Sequence, residues 1–264
     1  MRMNQALDIL RRDGLCILEG IIPADEVGAI RESVAATVHQ HTSLPLPQGY
    51  VTGFLRVNQR VAPYLAHPRI MALVHELFGK YARISSLTGI INGPGIPRGA
   101  MHADWPYNQQ HQSKIRAPYP DVIANLVTMW MLSDFTRENG GTIVVPGSQR
   151  QHTSPHPGSH LDPMAVYEGE TQLVGKAGDV AVFDARTWHA VAPNVTQEER
   201  VAVIVRYAPW WLNINPLRPG TRDRTFIVDQ NNGTDAQVEF LPAAIYAELP
   251  AEVQPLLYSM VEES

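Results

Sequence analysis

Apolar positions along this chain repeat first at helical and then at strand spacing. Val27, Ile30, Val34 and Val38 recur every three or four residues, and Ile70, Leu73, Val74, Leu77 and Phe78 fall at i, i+3, i+4, i+7 and i+8. Both patterns describe one buried helix face. Pro23 followed by Asp25 and Glu26 opens the first helix, with acids near the positive end of its dipole. The second runs from Pro68 to Phe78, and Gly79 suits its C-terminal stop. Asn4–Arg12 predicts a shorter helix ended by Asp13-Gly14, with Leu15–Leu18 as a strand behind it. Beyond about residue 82 the texture turns to β. Strands are predicted over Arg83–Asn92, Arg98–Asp104, Val122–Asp134, Thr142–Pro146, Thr171–Val174, Asp179–Asp184 and Arg200–Ala208. Gly93-Pro94-Gly95, Asn139-Gly140-Gly141, Pro146-Gly147-Ser148 and Gly178-Asp179 supply turns between them. Many short strands punctuated in this way predict a sandwich or barrel. Leu241–Glu248 and Glu252–Val261 predict short terminal helices.

Within the β half, two stretches carry metal-ligand chemistry. His102 and Asp104 are separated by one residue, so a strand would turn both to one face. His189 lies just past the predicted strand that follows Gly178-Asp179. Two imidazoles and one carboxylate fill one face of an octahedron and leave the other open, the arrangement of mononuclear non-haem Fe(II) oxygenases. Arg200 follows His189 by eleven positions. Alternation places Arg200, Ala202, Ile204 and Arg206 on one face of its strand. A face with two arginines suits a cavity that holds an anion, since guanidinium grips carboxylate through two parallel hydrogen bonds. The fold class expected is mainly β with flanking helices, a double-stranded β-helix (a cupin-like jelly roll). One domain over 1–264 is expected: a helical scaffold to about 80, a β-helix core over about 82–208, and C-terminal helices over about 241–261.

Other histidines carry less. His152, His156 and His160 repeat every four residues, but Pro155, Pro157 and Gly158 forbid the helix that would align them. His39, His41 and His75 fall at surface positions of their helices. Ser43–Gln59 and Trp105–Pro120 read as loops over a pocket mouth. They offer Tyr50, Phe54, Asn58, Trp105, Tyr107 and Asn108 as substrate contacts, joined by Arg206 and Trp211 from the last strand and its exit. This set suits an apolar or ring-bearing small molecule with a few orienting polar contacts.

Composition narrows the classes. A net charge of −5 and a pI near 6.0, without a basic stripe, argue against nucleic-acid binding. No run approaches the roughly 20 apolar residues of a membrane span, and the charged N-terminus is unlike a signal peptide. The single Cys16 excludes an intramolecular disulfide and a cysteine-rich metal cluster, and fits a cytoplasmic setting. A monomer or homodimer is expected.

His102-Ala103-Asp104, Trp130, the block Glu138-Asn139-Gly140-Gly141-Thr142-Ile143-Val144-Val145-Pro146-Gly147-Ser148, and His189 with Arg200 together resemble the phytanoyl-CoA dioxygenase family. Asp13-Gly14 and Ala66-His67-Pro68 are similar as well, so the resemblance covers most of residues 5–210. It implies a double-stranded β-helix oxidoreductase using Fe(II), with 2-oxoglutarate and O2 as co-substrates. It maps His102, Asp104 and His189 to iron, Arg200 to the distal carboxylate of 2-oxoglutarate, and Thr128 and Trp130 to the co-substrate pocket. Hydroxylation is the expected outcome. Halogenases of this general class have a small residue where this chain has Asp104. A basic cluster for coenzyme A phosphates is missing from the predicted loops, which favours a free small molecule. Two other classes compete. A metal cupin isomerase or oxoacid-independent dioxygenase would carry closely spaced histidines and a nearby glutamate, which do not follow His102. A non-catalytic binder would carry a broken triad.

Overall fold

The computed structural model describes residues 3–104, 119–156, 159–231 and 238–262. Chain order begins with α1 (Met3–Asp13), β1 (Leu15–Leu18), α2 (Ala24–His41), β2 (Gln48–Val51), α3 (Ala62–Leu65) and α4 (Pro68–Phe78). The strands β3 (Arg83–Asn92), β4 (Leu126–Met131), β5 (Ile143–Val144), β6 (Thr171–Gln172), β7 (Val180–Asp184), β8 (His189–Ala190) and β9 (Arg200–Ala208) follow. Short helices α5 (Arg222–Arg224), α6 (Ala243–Glu248) and α7 (Gln254–Leu257) complete the described chain.

Helix ends follow local chemistry. At the start of α4, the His67 imidazole accepts from the Arg69 N–H at 3.2 Å, and Pro68 occupies the first turn, where its missing N–H costs nothing. In α2, Val27, Ile30, Val34 and Val38 are the buried residues. They pack with Leu10 of α1, Leu73 of α4 and Ile84, Val203 and Tyr207 of the sheet in one apolar layer.

Antiparallel strands form a sheet in the order β1-β7-β4-β9-β3-β2, opposed by a smaller sheet in the order β6-β5-β8. This is the double-stranded β-helix. The large sheet presents one face to the helices and the other, through Ile90, Val127, Met129, Phe183 and Ala202, to a second apolar layer shared with Val144 of the small sheet. Gly178 holds φ +98° at the turn into β7, and a Cβ there would lie 2.5 Å from the Ile22 carbonyl, so only glycine fits both the dihedral and the gap.

The strands expected over Thr142–Pro146 and Thr171–Val174 shorten to β5 and β6 and the two terminal helices to α6 and α7, and three further stretches differ from expectation. Arg98–Asp104 is no strand: its N–H groups reach Val191 from Gly99, Pro163 from Met101, His189 from His102 and Ala185 from Asp104. Donors divided among separate segments make no ladder, and only the isolated bridge His102–His189 remains. The ordered strand within Val122–Asp134 is the shorter β4. Ser43–Gln59 is not a continuous loop, because β2 pairs with β3 and adds an edge to the large sheet.

Candidate metal centre

Backbone pairing builds the site. His102 and His189 exchange both N–H···O bonds, at 3.0 and 2.8 Å, which sets their rings 4.4 Å apart. Asp104, two residues on, turns its carboxylate between them. His102 Nε2 is 3.9 Å from Asp104 Oδ1, and His189 Nε2 is 3.8 Å from Oδ2. These separations are too long for hydrogen bonds, yet one donor atom from each residue lies within 4.8 Å of the others. Each Nδ1 faces a carbonyl that can only accept: Ala100 O for His102 and Thr187 O for His189, both at 2.9 Å. Nδ1 therefore carries the proton in the neutral rings, and both Nε2 lone pairs point to the shared space.

Electrostatics suit a cation at that point. Burial, then His102, pushes His189 down to about 4, so the ring is neutral near pH 7. Burial alone would raise the Asp104 carboxyl. Arg206 and then His189 and His102 outweigh it and hold the group well below the usual carboxylate range. A neutral imidazole pair and an ionised carboxylate form the donor set that a divalent metal takes. Iron fits these residues.

A cavity of about 190 Å³ opens from the triad. Arg200 lines it and is 1% exposed, with its guanidinium 4.4 Å above the Phe135 ring. Asn92, opposite Arg200 in the β3–β9 register, accepts from Arg200 Nη2 through its side-chain oxygen. Arg200 Nε and Nη1 are buried without a protein partner among the described residues. Burial pushes this arginine down to about 9. An uncompensated buried cation with two orphaned donors fits a ligand carboxylate. Gln48 and Tyr50, two apart on β2, line the same cavity, as do Thr142 and Ile204. Gln48, Asn92 and Thr142 were not singled out from the sequence. The signal for Asn92 lay in its spacing of two from Ile90 on the predicted strand.

Several predicted contacts lie elsewhere. Thr128 and Trp130 turn to the helix side, whereas Val127 and Met129 line the cavity. The Trp130 indole N–H donates to Thr128 Oγ1 at 2.9 Å, and that hydroxyl donates to Val205 O at 3.0 Å. Phe54 is fully buried in the helix-side layer, beneath Gly89, where a Cβ would meet its ring at 2.4 Å. Asn58 is buried too, and its Nδ2 donates to Ser33 Oγ at 2.9 Å and Thr37 Oγ1 at 2.8 Å on α2. Trp211 stands 57% exposed after β9, outside the cavity lining. Arg206 reaches Asp104 Oδ2 at 2.8 Å. Trp105, Tyr107 and Asn108 lie outside the described residues. His152 accepts from the Tyr119 N–H at 3.3 Å and belongs to no group of three metal-ligand residues among the described residues. No helix among the described residues is long and apolar enough to cross a membrane.

Known proteins share this framework. "Dioxygenase af480" of Aspergillus fumigatus is 32% identical over 144 residues, which cover 54% of this chain and only 42% of that protein. "Ectoine dioxygenase" of Bordetella bronchiseptica is 23% identical over 244 residues, covering 81% of this chain and 77% of the relative. Among solved structures, the non-haem, α-ketoglutarate-dependent epimerase SnoN from nogalamycin biosynthesis superposes with a TM-score of 0.63 at 22% identity. That match covers 78% of this chain and 80% of SnoN. The sequence profile described as Phytanoyl-CoA dioxygenase (PhyH) matches residues 10–202, from the helical scaffold through both ligand segments and Arg200. The chain belongs to the phytanoyl-CoA dioxygenase family, an oxidoreductase family dependent on iron and 2-oxoglutarate.

Proposed function

We propose that His102, Asp104 and His189 hold Fe(II), that Arg200 binds 2-oxoglutarate, and that the reaction is hydroxylation of an unactivated C–H bond in a small apolar or ring-bearing metabolite. Succinate and CO2 are the co-products. The observation that carries this reading is the orphaned guanidinium of Arg200 in the same cavity as three convergent metal donors. Bound iron, with 2-oxoglutarate and O2, supplies the oxidising power for C–H cleavage.

The chain's own residues bind, orient and exclude water. Arg200 keeps Nε and Nη1, on opposite edges of its guanidinium, as donors without a protein partner among the described residues, one of them for the far carboxylate of 2-oxoglutarate, and Asn92 fixes the guanidinium through Nη2. The backbone carbonyls of Ala100 and Thr187 hold the two imidazoles as acceptors toward the centre. Val127, Met129, Phe183 and Ile204 form apolar walls, and a low-dielectric lining strengthens the polar contacts inside. Tyr50 lines this space from the edge strand and is the described residue placed to touch substrate. Trp105, Tyr107 and Asn108 are retained as substrate contacts on sequence grounds.

A free metabolite is favoured over a coenzyme A thioester, because Arg200 is the lone cationic residue lining the cavity among the described residues. The names of the similar proteins support a small molecule: one relative is an ectoine dioxygenase, and SnoN belongs to nogalamycin biosynthesis. Residues 1–264 act as one catalytic unit in this reading, since Leu10, Ile30, Ile84, Val203 and Leu257 share one apolar layer. A reducing, cytoplasmic setting accords with the single buried thiol of Cys16.

Anaerobic addition of Fe(II) and 2-oxoglutarate should produce a weak visible charge-transfer band that is lost in His189→Ala. Arg200→Ala should raise the 2-oxoglutarate requirement at least tenfold, as for loss of a charge-assisted hydrogen bond worth about 1.5–3 kcal/mol. A band that persists in His189→Ala, or an unchanged requirement in Arg200→Ala, would remove those residues from their roles. Succinate release over a metabolite panel then identifies the substrate. Robust turnover confined to acyl-CoA compounds would overturn the free-metabolite reading.

A further inference from the structure

We infer that Arg206 is a positioning residue, fixing which oxygen of Asp104 is offered beside the two imidazoles. The inference rests on reading His102, Asp104 and His189 as the metal centre. Asp104 belongs to no strand ladder. It sits in a bend just beyond the isolated His102–His189 bridge, and its N–H donates to Ala185 O at 2.8 Å.

Arg206 is the opposite case. It rises from β9, which is paired on both edges, with Ser86 of β3 on one side and Val127 of β4 on the other. The Ser85 hydroxyl also donates to the Arg206 carbonyl at 3.2 Å. A cation on a strand paired at both edges thus reaches a ligand that lies outside any ladder, and Nη2 meets Oδ2 at 2.8 Å. Among the described residues no other donor lies within hydrogen-bond distance of that carboxylate. Oδ2 is drawn to Arg206 and lies 3.8 Å from His189 Nε2, while Oδ1 is the oxygen without a cation beside it and lies 3.9 Å from His102 Nε2. This short ion pair to one oxygen biases the carboxylate's rotation about Cβ–Cγ, so the two oxygens are not offered alike.

Two effects of Arg206 on an incoming ion oppose each other. A positive charge beside a ligand repels the ion. An outer partner that fixes a ligand's orientation strengthens binding, and its loss costs about 10–100-fold in metal affinity. The sign of one measurement separates them. Co(II) is titrated into the metal-free full-length chain and followed by visible absorption, for wild type, Arg206→Met and Arg206→Lys, with thermal melts to establish folding. Positioning predicts at least about tenfold weaker Co(II) binding in Arg206→Met. It predicts intermediate loss in Arg206→Lys, which keeps the charge but not the planar fork. Unchanged or tighter binding by folded Arg206→Met overturns the inference. Should that variant not fold, Arg206→Lys decides: weaker binding supports positioning, and unchanged or tighter binding overturns it. His189→Ala separates the levels. Wild-type binding that survives in His189→Ala, or no wild-type binding at all, overturns both the metal centre and the role of Arg206. Binding lost in His189→Ala but unaltered in Arg206→Met removes Arg206 alone.

Discussion

Thr128 and Trp130 satisfy each other, and that explains why a polar pair on a central strand need not serve a site. The indole N–H finds Thr128 Oγ1 and the hydroxyl finds Val205 O, so both side chains are buried with no further partner required. Their neighbours Val127 and Met129 take the cavity face by the strand's period of two. Thr128→Val would strand the buried indole donor. The expected cost is about 1–3 kcal/mol of stability, read by urea unfolding, with the 2-oxoglutarate KM unchanged. A tenfold rise in that KM at unchanged stability would return the pair to the co-substrate pocket. Arg200 is the contrasting residue. It too is buried, but its orphaned Nε and Nη1 leave an account that only a ligand completes.

The stretch from Gln48 to Asn58 makes the same point for an element. Its aromatic and amide residues look alike in sequence, yet β2 sends Gln48 and Tyr50 to the cavity while the turn after it sends Phe54 and Asn58 to the helices. Removing the Phe54 ring from the helix-side layer should cost about 3–5 kcal/mol in Phe54→Ala. Tyr50→Ala should instead lower kcat/KM for the substrate with a much smaller loss of stability. Denaturant curves paired with turnover on the same two variants check both, and reversal of the pattern would reverse the assignment of faces. The long periodic elements were legible beforehand: β1, α4, β3 and β9 have the predicted bounds, and the buried stripe of α2 is the predicted one. The meeting of His102, Asp104 and His189 was legible as well. The strand expected over Arg98–Asp104 was not there to find, because its donors go to separate segments. Arg206 was visible as a residue on the cavity face, but its bond to Asp104 was not, since alternation gives the face and not the partner.

At the scale of the whole molecule, two sheets and a helical layer enclose a set of charges that water would otherwise separate. Burial keeps His189 neutral down to about pH 4, whereas an unfolded chain takes up that proton near 6.5. Between those values the unfolded state binds more protons, so stability rises with pH and is lost as pH falls from about 6.5 towards 4. The full effect of this one group is about 3.5 kcal/mol, from 2.5 pH units at about 1.4 kcal/mol each. His67, also lowered by burial, acts with the same sign, and Asp184, raised by burial, acts against it. A difference between variants isolates His189. Metal-free wild type should lose more unfolding free energy than His189→Gln between pH 7 and pH 4.5, measured by urea denaturation at each pH. Parallel profiles would mean that His189 titrates in the folded chain as it does in water. Fe(II) or Co(II) binds the folded state and stabilises it by mass action. Because protons compete for the same imidazole nitrogens, that added stability should itself fade as the solution is acidified. The thermal shift produced by a fixed Co(II) concentration should therefore hold while His189 is neutral and shrink as the pH falls through about 4, and a shift that stays constant through that value would place the bound ion on ligands other than His189.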